Sequence, residues 1–182
     1  STITAGAETT NIDVDAAATA ASVTINTSAT LVDVDNANFG TGGQVVDALT
    51  INYAADTDVV IDAIGTSLTV TGDTGSLSAT SAILNAETVT DSTTGTFSVD
   101  VDITGSHDLS SVSTDRFDVV YTATGTLTMA DTGVSMQIDE DFGAAVTFDG
   151  TTATEASNSI SAVVSVAALS NANFTDFRTV TI

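Results

Sequence analysis

Carboxylates two residues apart on β-branched segments carry the clearest chemistry in this chain. Ile12-Asp13-Val14-Asp15, Val32-Asp33-Val34-Asp35 and Val99-Asp100-Val101-Asp102-Ile103 alternate aliphatic residues with aspartates, and on an extended strand successive side chains point to opposite faces. Each segment therefore reads as a charged outer row over an apolar inner row. Neighbouring strands lie about 4.8 Å apart, so stacked rows of this kind set like charges against one another at roughly 1 kcal/mol per pair even in water. A divalent cation reverses that sign. Calcium fits best, because it takes roughly six to eight oxygens, carbonyls and water included, in flexible geometry. A same-strand pair sits about 7 Å apart and cannot alone chelate an ion whose ligands lie at about 2.4 Å, so loop oxygens must join it. Asp56-Thr57-Asp58 with Asp62, and Asp139-Glu140-Asp141 ahead of Phe142-Gly143, supply such loops. The candidate ligands are thus Asp13, Asp15, Asp33, Asp35, Asp56, Asp58, Asp62, Asp100, Asp102, Asp139, Glu140 and Asp141. Neither loop has the glycine and terminal glutamate of an EF-hand at the required spacing. For any single pair, a solvated polar face explains the pattern equally well.

Other constellations say less. His107 stands beside Asp108, but a lone histidine in a chain without cysteine reads as a turn residue before it reads as a base or a ligand. Arg116 and Arg178 are the only fixed cations against 24 acidic groups, and their expected role is to pair with carboxylates. Carboxylates for glycoside cleavage abound, yet the chain has no Trp and no Lys to supply a sugar platform or a cationic helper, so no enzymatic activity is expected. A net charge of −22 with two arginines excludes nucleic acid as a partner, since binding phosphate needs clustered cations to displace counterions. Anionic lipid is excluded on the same ground. No apolar run reaches the length of a membrane span, so no insertion is expected. Adaptation to salt would also explain the acidity. The bias toward Asp, 20 residues against 4 Glu, favours ligands and turn formers over a generic solvating coat.

The elements that must position these residues are strands. Short β-branched segments recur from Asn11–Asp15 and Ser22–Asn26 through Thr96–Thr104 and Phe117–Ala123 to Arg178–Ile182, punctuated by Gly, Asp, Asn and Ser. Helix competes only at Asp15–Ala21 and Ala162–Leu169, where alanine is dense but the runs are short or rich in β-branched residues. The chain therefore reads as all-β, a single domain over residues 1–182 or part of a longer repeat protein. A loose repeat supports a β-solenoid of the parallel β-helix kind over a β-sandwich or jelly roll. In it, a polar corner feeds an aliphatic strand. Asn36-Ala37-Asn38-Phe39 leads to Val46–Ile51, and Leu77-Ser78-Ala79 leads to Ala86–Thr90. Leu109-Ser110-Ser111-Val112 leads to Phe117–Tyr121, and Asn171-Ala172-Asn173-Phe174 leads to Phe177–Ile182. Such units cannot bury an apolar side alone, so function is expected in assembly and surface and not in a pocket. The last alternation ends without a cap, from which a continuing chain or a strand offered to a neighbour is expected.

The segments Leu169-Ser170-Asn171-Ala172-Asn173-Phe174-Thr175-Asp176-Phe177-Arg178-Thr179-Val180-Thr181-Ile182, Asp108-Leu109-Ser110-Ser111-Val112 and Gly125-Thr126-Leu127-Thr128-Met129 resemble those of bacterial surface-layer and related calcium-dependent exported surface proteins. The resemblance implies an extracellular, cell-surface location and a sheet or filament of identical subunits held together by calcium. The chain lacks the Gly-Gly-x-Gly-x-Asp nonapeptide of many exported calcium-binding repeats; Gly40-Thr41-Gly42-Gly43 comes nearest, without the Asp. The alternatives are an adhesin or carbohydrate-binding module facing a cell-surface glycan, and an ice-binding protein. The last is suggested by Thr-rich segments such as Ser67-Leu68-Thr69-Val70-Thr71, although Thr-x-Thr does not recur at a fixed period.

Overall fold

The computed structural model describes residues 2–5, 10–11, 21–27, 31–34, 46–53, 56–61, 67–92, 95–130, 134–139, 142–151, 159–164 and 171–182. Among these residues there are eighteen strands and no helix. They are β1 (Thr2–Ala5), β2 (Thr10–Asn11), β3 (Ala21–Thr27), β4 (Leu31–Val34), β5 (Val46–Tyr53) and β6 (Asp56–Ile61). The middle of the chain forms β7 (Ser67–Gly72), β8 (Thr74–Thr80), β9 (Thr88–Asp91), β10 (Phe97–Ile103), β11 (His107–Asp108) and β12 (Arg116–Tyr121). The remainder forms β13 (Gly125–Met129), β14 (Val134–Ile138), β15 (Val146–Gly150), β16 (Ser159–Val164), β17 (Ala172–Thr175) and β18 (Thr179–Thr181).

Every strand pairing joins two strands that lie two places apart in the chain, and every one is parallel. The even strands build one nine-stranded sheet. The odd strands divide into a five-stranded sheet, β1-β3-β5-β7-β9, and a four-stranded sheet, β11-β13-β15-β17. Successive coils thus stack on one another, which is a β-solenoid; a sandwich of antiparallel hairpins would pair adjacent strands in the opposite sense.

Inward positions form continuous columns because parallel register stacks each residue on its counterpart. Val59, Leu77, Val99, Phe117, Met136 and Ala162 follow one another through the nine-stranded sheet, all buried. A second buried column runs Ile61, Ala79, Val101, Val119, Ile138 beside it. Facing them from the five-stranded sheet are Leu49 over Leu68 and Ile51 over Val70 and Val89. Each Val, Leu or Ile so buried contributes about 1.5–3 kcal/mol relative to exposure.

The second wall changes row near the middle of the molecule. The five-stranded sheet ends in a single bridge from Val89 to Val112, while β11 opens the four-stranded sheet by pairing with β13. Leu84, ahead of β9, and Leu109, just after β11, are both fully buried. The far end is lined by rings: Tyr121, Phe142, Phe148 and Phe174 follow one another with centroids 5.6, 6.2 and 5.4 Å apart.

Two sequence readings shift here. Thr74–Thr80 contains the Leu-Ser-Ala corner of the repeat, yet it is β8, an interior strand between β6 and β10. Asn171-Ala172-Asn173-Phe174, also read as a corner, enters β17, where Phe174 stacks on Phe148. The repeat copies accordingly differ in place. Two lead into β5 and β9 of the five-stranded sheet, and two into β12 and β18 of the nine-stranded one. Asn36–Phe39 lies outside the described residues.

Candidate functional site

The outer face of the nine-stranded sheet carries the acidic rows. Along β10, Phe97, Val99, Val101 and Ile103 are buried while Ser98, Asp100 and Asp102 alternate outward, as the Asp-x-Asp pattern predicts. The register places Asp100 directly against Asp118 of the next coil and against Ser78 of the preceding one. Asp118 is clamped by Arg116 on its own strand. Arg116 Nη2 donates to Asp118 Oδ2 at 2.8 Å, and Nε lies 2.8 Å from Oδ1 in an ionic contact whose angle falls short of a hydrogen bond. Ser76 Oγ donates to Asp58 Oδ1 at 2.8 Å across the same face. Asp102 Oδ1 is buried without a hydrogen-bond partner.

Partial burial, and then the negative Asp118 beside it, push the Asp100 carboxyl up to about 6. The folded chain therefore holds this proton over a range in which the unfolded chain has released it. Stability is greatest with Asp100 protonated and falls as pH rises from about 4 through about 6, because ionisation then sets charge against Asp118. Asp100→Asn removes that penalty. Near neutral pH the variant is expected to be more stable than the parent by about 1 kcal/mol, a figure discounted for solvent screening at a half-exposed site. The difference should close below about pH 4. Urea denaturation across this range checks the prediction, and a constant difference at every pH would refute it.

The other sequence candidates are scattered. Asp33 lies in β4 opposite Val60, and Asp56 opens β6 opposite Thr74. Asp139 is exposed after β14 and accepts a hydrogen bond from Gln137 Nε2 at 2.8 Å. Asp13, Asp15, Asp35, Asp62, Glu140 and Asp141 fall outside the described residues. Among the described residues no three carboxylate or histidine side chains converge on one point. What the register brings together is the pair Asp100 and Asp118, with Asp58 close enough to add to the negative field at Asp100. Asp118 was not among the candidates, because its partner in the next coil is not visible from one strand.

His107 begins β11 and its Nδ1 lies 3.0 Å from Ser81 Oγ. A serine hydrogen-bonded to a histidine has the outline of an activated nucleophile. Ser81, however, is completely buried; its Oγ accepts from the Thr104 backbone N–H at 2.9 Å and lies 3.2 Å from Thr104 Oγ1. The contacts tie the corner at residues 81–86 to the loop leading into β11, which is a structural role. Arg116 pairs with a carboxylate as its scarcity suggested, whereas Arg178 lies exposed between β17 and β18. A cleft of about 260 Å³ lies along Val89, Thr90, Ser113, Phe117 and Val134, and among the described residues that line it there is no acid, base or cation.

The five-stranded sheet presents an opposite surface. Its outward side chains form two columns: Thr24, Thr50, Thr69 and Thr88 in one, and Thr4, Asn26, Asn52, Thr71 and Thr90 in the other. Asn52 Nδ2 donates to Asn26 Oδ1 at 2.9 Å, a rung of an amide ladder. None of these nine positions is charged in a chain of net charge −22. The Thr-x-Thr and Thr-x-Asn pairs do stack coil on coil. They escaped a fixed-period search because the coils differ in length, with Thr24 opposite Thr50 but Thr50 opposite Thr69.

Fold and surface define a class, the parallel β-solenoid with chemically distinct faces. Compared with family models, with curated proteins and with solved structures, the chain matches none.

Proposed function

We propose that this is an extracellular structural protein of the surface-layer or filament kind, which self-assembles with calcium joining acidic faces. The observation that carries the reading is the coil-to-coil stacking of like charge on the nine-stranded sheet, Asp100 against Asp118. Carboxylates held on a rigid ladder cannot move apart when a second acidic surface approaches, and one arginine clamp leaves the face strongly negative. A divalent ion shared between two such faces replaces repulsion with bridging. Calcium suits this because water and ligands from a second subunit complete its shell where one subunit offers two or three oxygens. A solenoid also supplies an extended, repetitive surface on which many weak bridges act together.

The test is negative-stain microscopy and sedimentation of the purified chain with millimolar calcium and again with excess chelator. Sheets or filaments that form with calcium and disperse with chelator are expected. In the combined variant Asp58→Asn, Asp100→Asn, Asp102→Asn the calcium response should be lost. Monodisperse particles under both conditions would overturn the reading, as would a variant that responds to calcium like the parent.

A further inference from the structure

We propose that the outer face of the five-stranded sheet binds ice. The inference does not depend on calcium-assisted assembly, since it concerns the opposite chemistry on another wall. Four observations carry it. The first is regularity in two dimensions. Adjacent strands place equivalent residues about 4.8 Å apart, and residues two apart along a strand lie about 6.6 Å apart. The columns Thr24–Thr50–Thr69–Thr88 and Thr4–Asn26–Asn52–Thr71–Thr90 therefore form a near-rectangular grid of hydroxyl and amide groups across five coils. Oxygen atoms on the prism faces of ice repeat at comparable intervals in two perpendicular directions, so waters held on the grid sit close to lattice positions.

The second is stiffness. Threonine is β-branched and restricted at χ1, so a row of threonines holds methyl and hydroxyl in one orientation at little entropic cost. The third is the amide contact between Asn26 and Asn52 at 2.9 Å, which locks two adjacent rungs of the second column. Side-chain ladders of this kind favour flat sheets over twisted ones, and only a flat face can match a crystal plane. The fourth is charge. Carboxylates orient water around themselves and oppose a lattice imposed from outside. The chain has 24 acidic residues and places none at these nine outward positions, while Asp58, Asp100, Asp102 and Asp118 stand on the nine-stranded sheet. A neutral grid on so acidic a chain is the composition expected of a surface whose ligand is ordered water, not an ion.

The experiment follows the full chain, fluorescently labelled, as ice grows slowly through its solution. It is run in chelator so that calcium-dependent association does not contribute, alongside thermal hysteresis of single ice crystals. Thr69→Tyr places a ring at the centre of the grid, and Thr88→Tyr places one on its outer strand. Val163→Tyr, at a 59% exposed position of the nine-stranded sheet, is the matched control. Circular dichroism establishes that each variant is folded. The parent and Val163→Tyr are expected to enter the ice and shape the crystals, and whichever threonine variant folds is expected to be excluded like an ordinary solute. Exclusion of the parent overturns the proposal, and so does equal uptake of all folded variants. Exclusion of the parent together with a dimer that Thr69→Tyr dissociates would also overturn it, assigning the face to a second copy of the chain instead.

Discussion

Gly125→Ala is expected to cost about 3 kcal/mol or more and to disrupt the coils on either side of it. Gly125 opens β13 and lies against the loop that precedes β11. A Cβ built on it would collide with the Gly105 carbonyl oxygen and carbon and sit 2.8 Å from the Ser106 nitrogen. All three are backbone atoms, so no rotamer change relieves the overlap, and two coils must move apart. Overpacking a core usually costs about 1–3 kcal/mol when side chains can yield, and here they cannot. Separation would also stretch the bond from Thr126 N–H to Ser106 Oγ, now 2.9 Å, and the two-residue pairing of β11 with β13. Gly143 is the control, because the nearest atom to its added Cβ is a Tyr121 ring carbon at 3.6 Å, an ordinary contact. Urea denaturation with hydrogen exchange reads the result. Protection should fall in β11, β13 and β15 for Gly125→Ala and remain near the parent's for Gly143→Ala. A Gly125→Ala chain that melts with the parent would show that the coils are not packed as described.

The damage should be local at first, because each coil touches mainly its neighbours. Solenoid stability is close to a sum of coil stabilities and nearest-neighbour terms. A defect in one interface then lowers protection on both sides of it before the rest of the stack opens, and a single two-state midpoint describes the variant poorly.

What could be read from the sequence was period two. Alternation of Val and Asp placed Asp100 and Asp102 outward and Val99 and Val101 inward, and it gave most strands within a residue or two. Residues of turn-forming type that stand inside a strand defeated the same reasoning. Thr74–Thr80, with Gly75, Ser76 and Ser78, has low strand propensity and is a strand because β6 and β10 flank it and Leu77 and Ala79 fill the interior columns. Register between coils was illegible for a different reason. The register sets Val59 opposite Leu77, 18 positions on, but Val32 opposite Val59, 27 positions on. The spacing changes from coil to coil, so no fixed period exists to be found. Every conclusion that needs two coils was therefore hidden: the Asp100–Asp118 pair, the neutral grid of threonine and asparagine, and the contact of His107 with Ser81. The local signal for the grid was nevertheless present in Val23-Thr24-Ile25-Asn26, Leu49-Thr50-Ile51-Asn52 and Leu68-Thr69-Val70-Thr71. Aligning these on their aliphatic frames instead of on a period recovers it.

The ring ladder at the far end supplies the second large effect, and Phe148→Ala is expected to destabilise the chain by about 3–5 kcal/mol. Phe148 is fully buried on β15, with Phe142 on one side at 6.2 Å and Phe174 stacked on the other at 5.4 Å and 20°. Parallel register also puts it on Leu127. Removing the ring takes away apolar burial and the two aromatic contacts, and leaves a void that a β-solenoid cannot close easily. Collapse would require neighbouring strands to shift along their ladders, breaking bonds that lock Leu127, Phe148 and Phe174 into one column. Phe148→Leu keeps most of the volume and should recover the larger part of the loss. The four-stranded sheet is short, and β17 pairs with β15 alone, so its protection depends on this contact more than that of any interior strand. Hydrogen exchange should therefore show β17 opening in Phe148→Ala while β8 and β10 keep the parent's protection. Uniform loss across all three sheets would mean that the coils melt as one unit, and the local account of stability would fall with it.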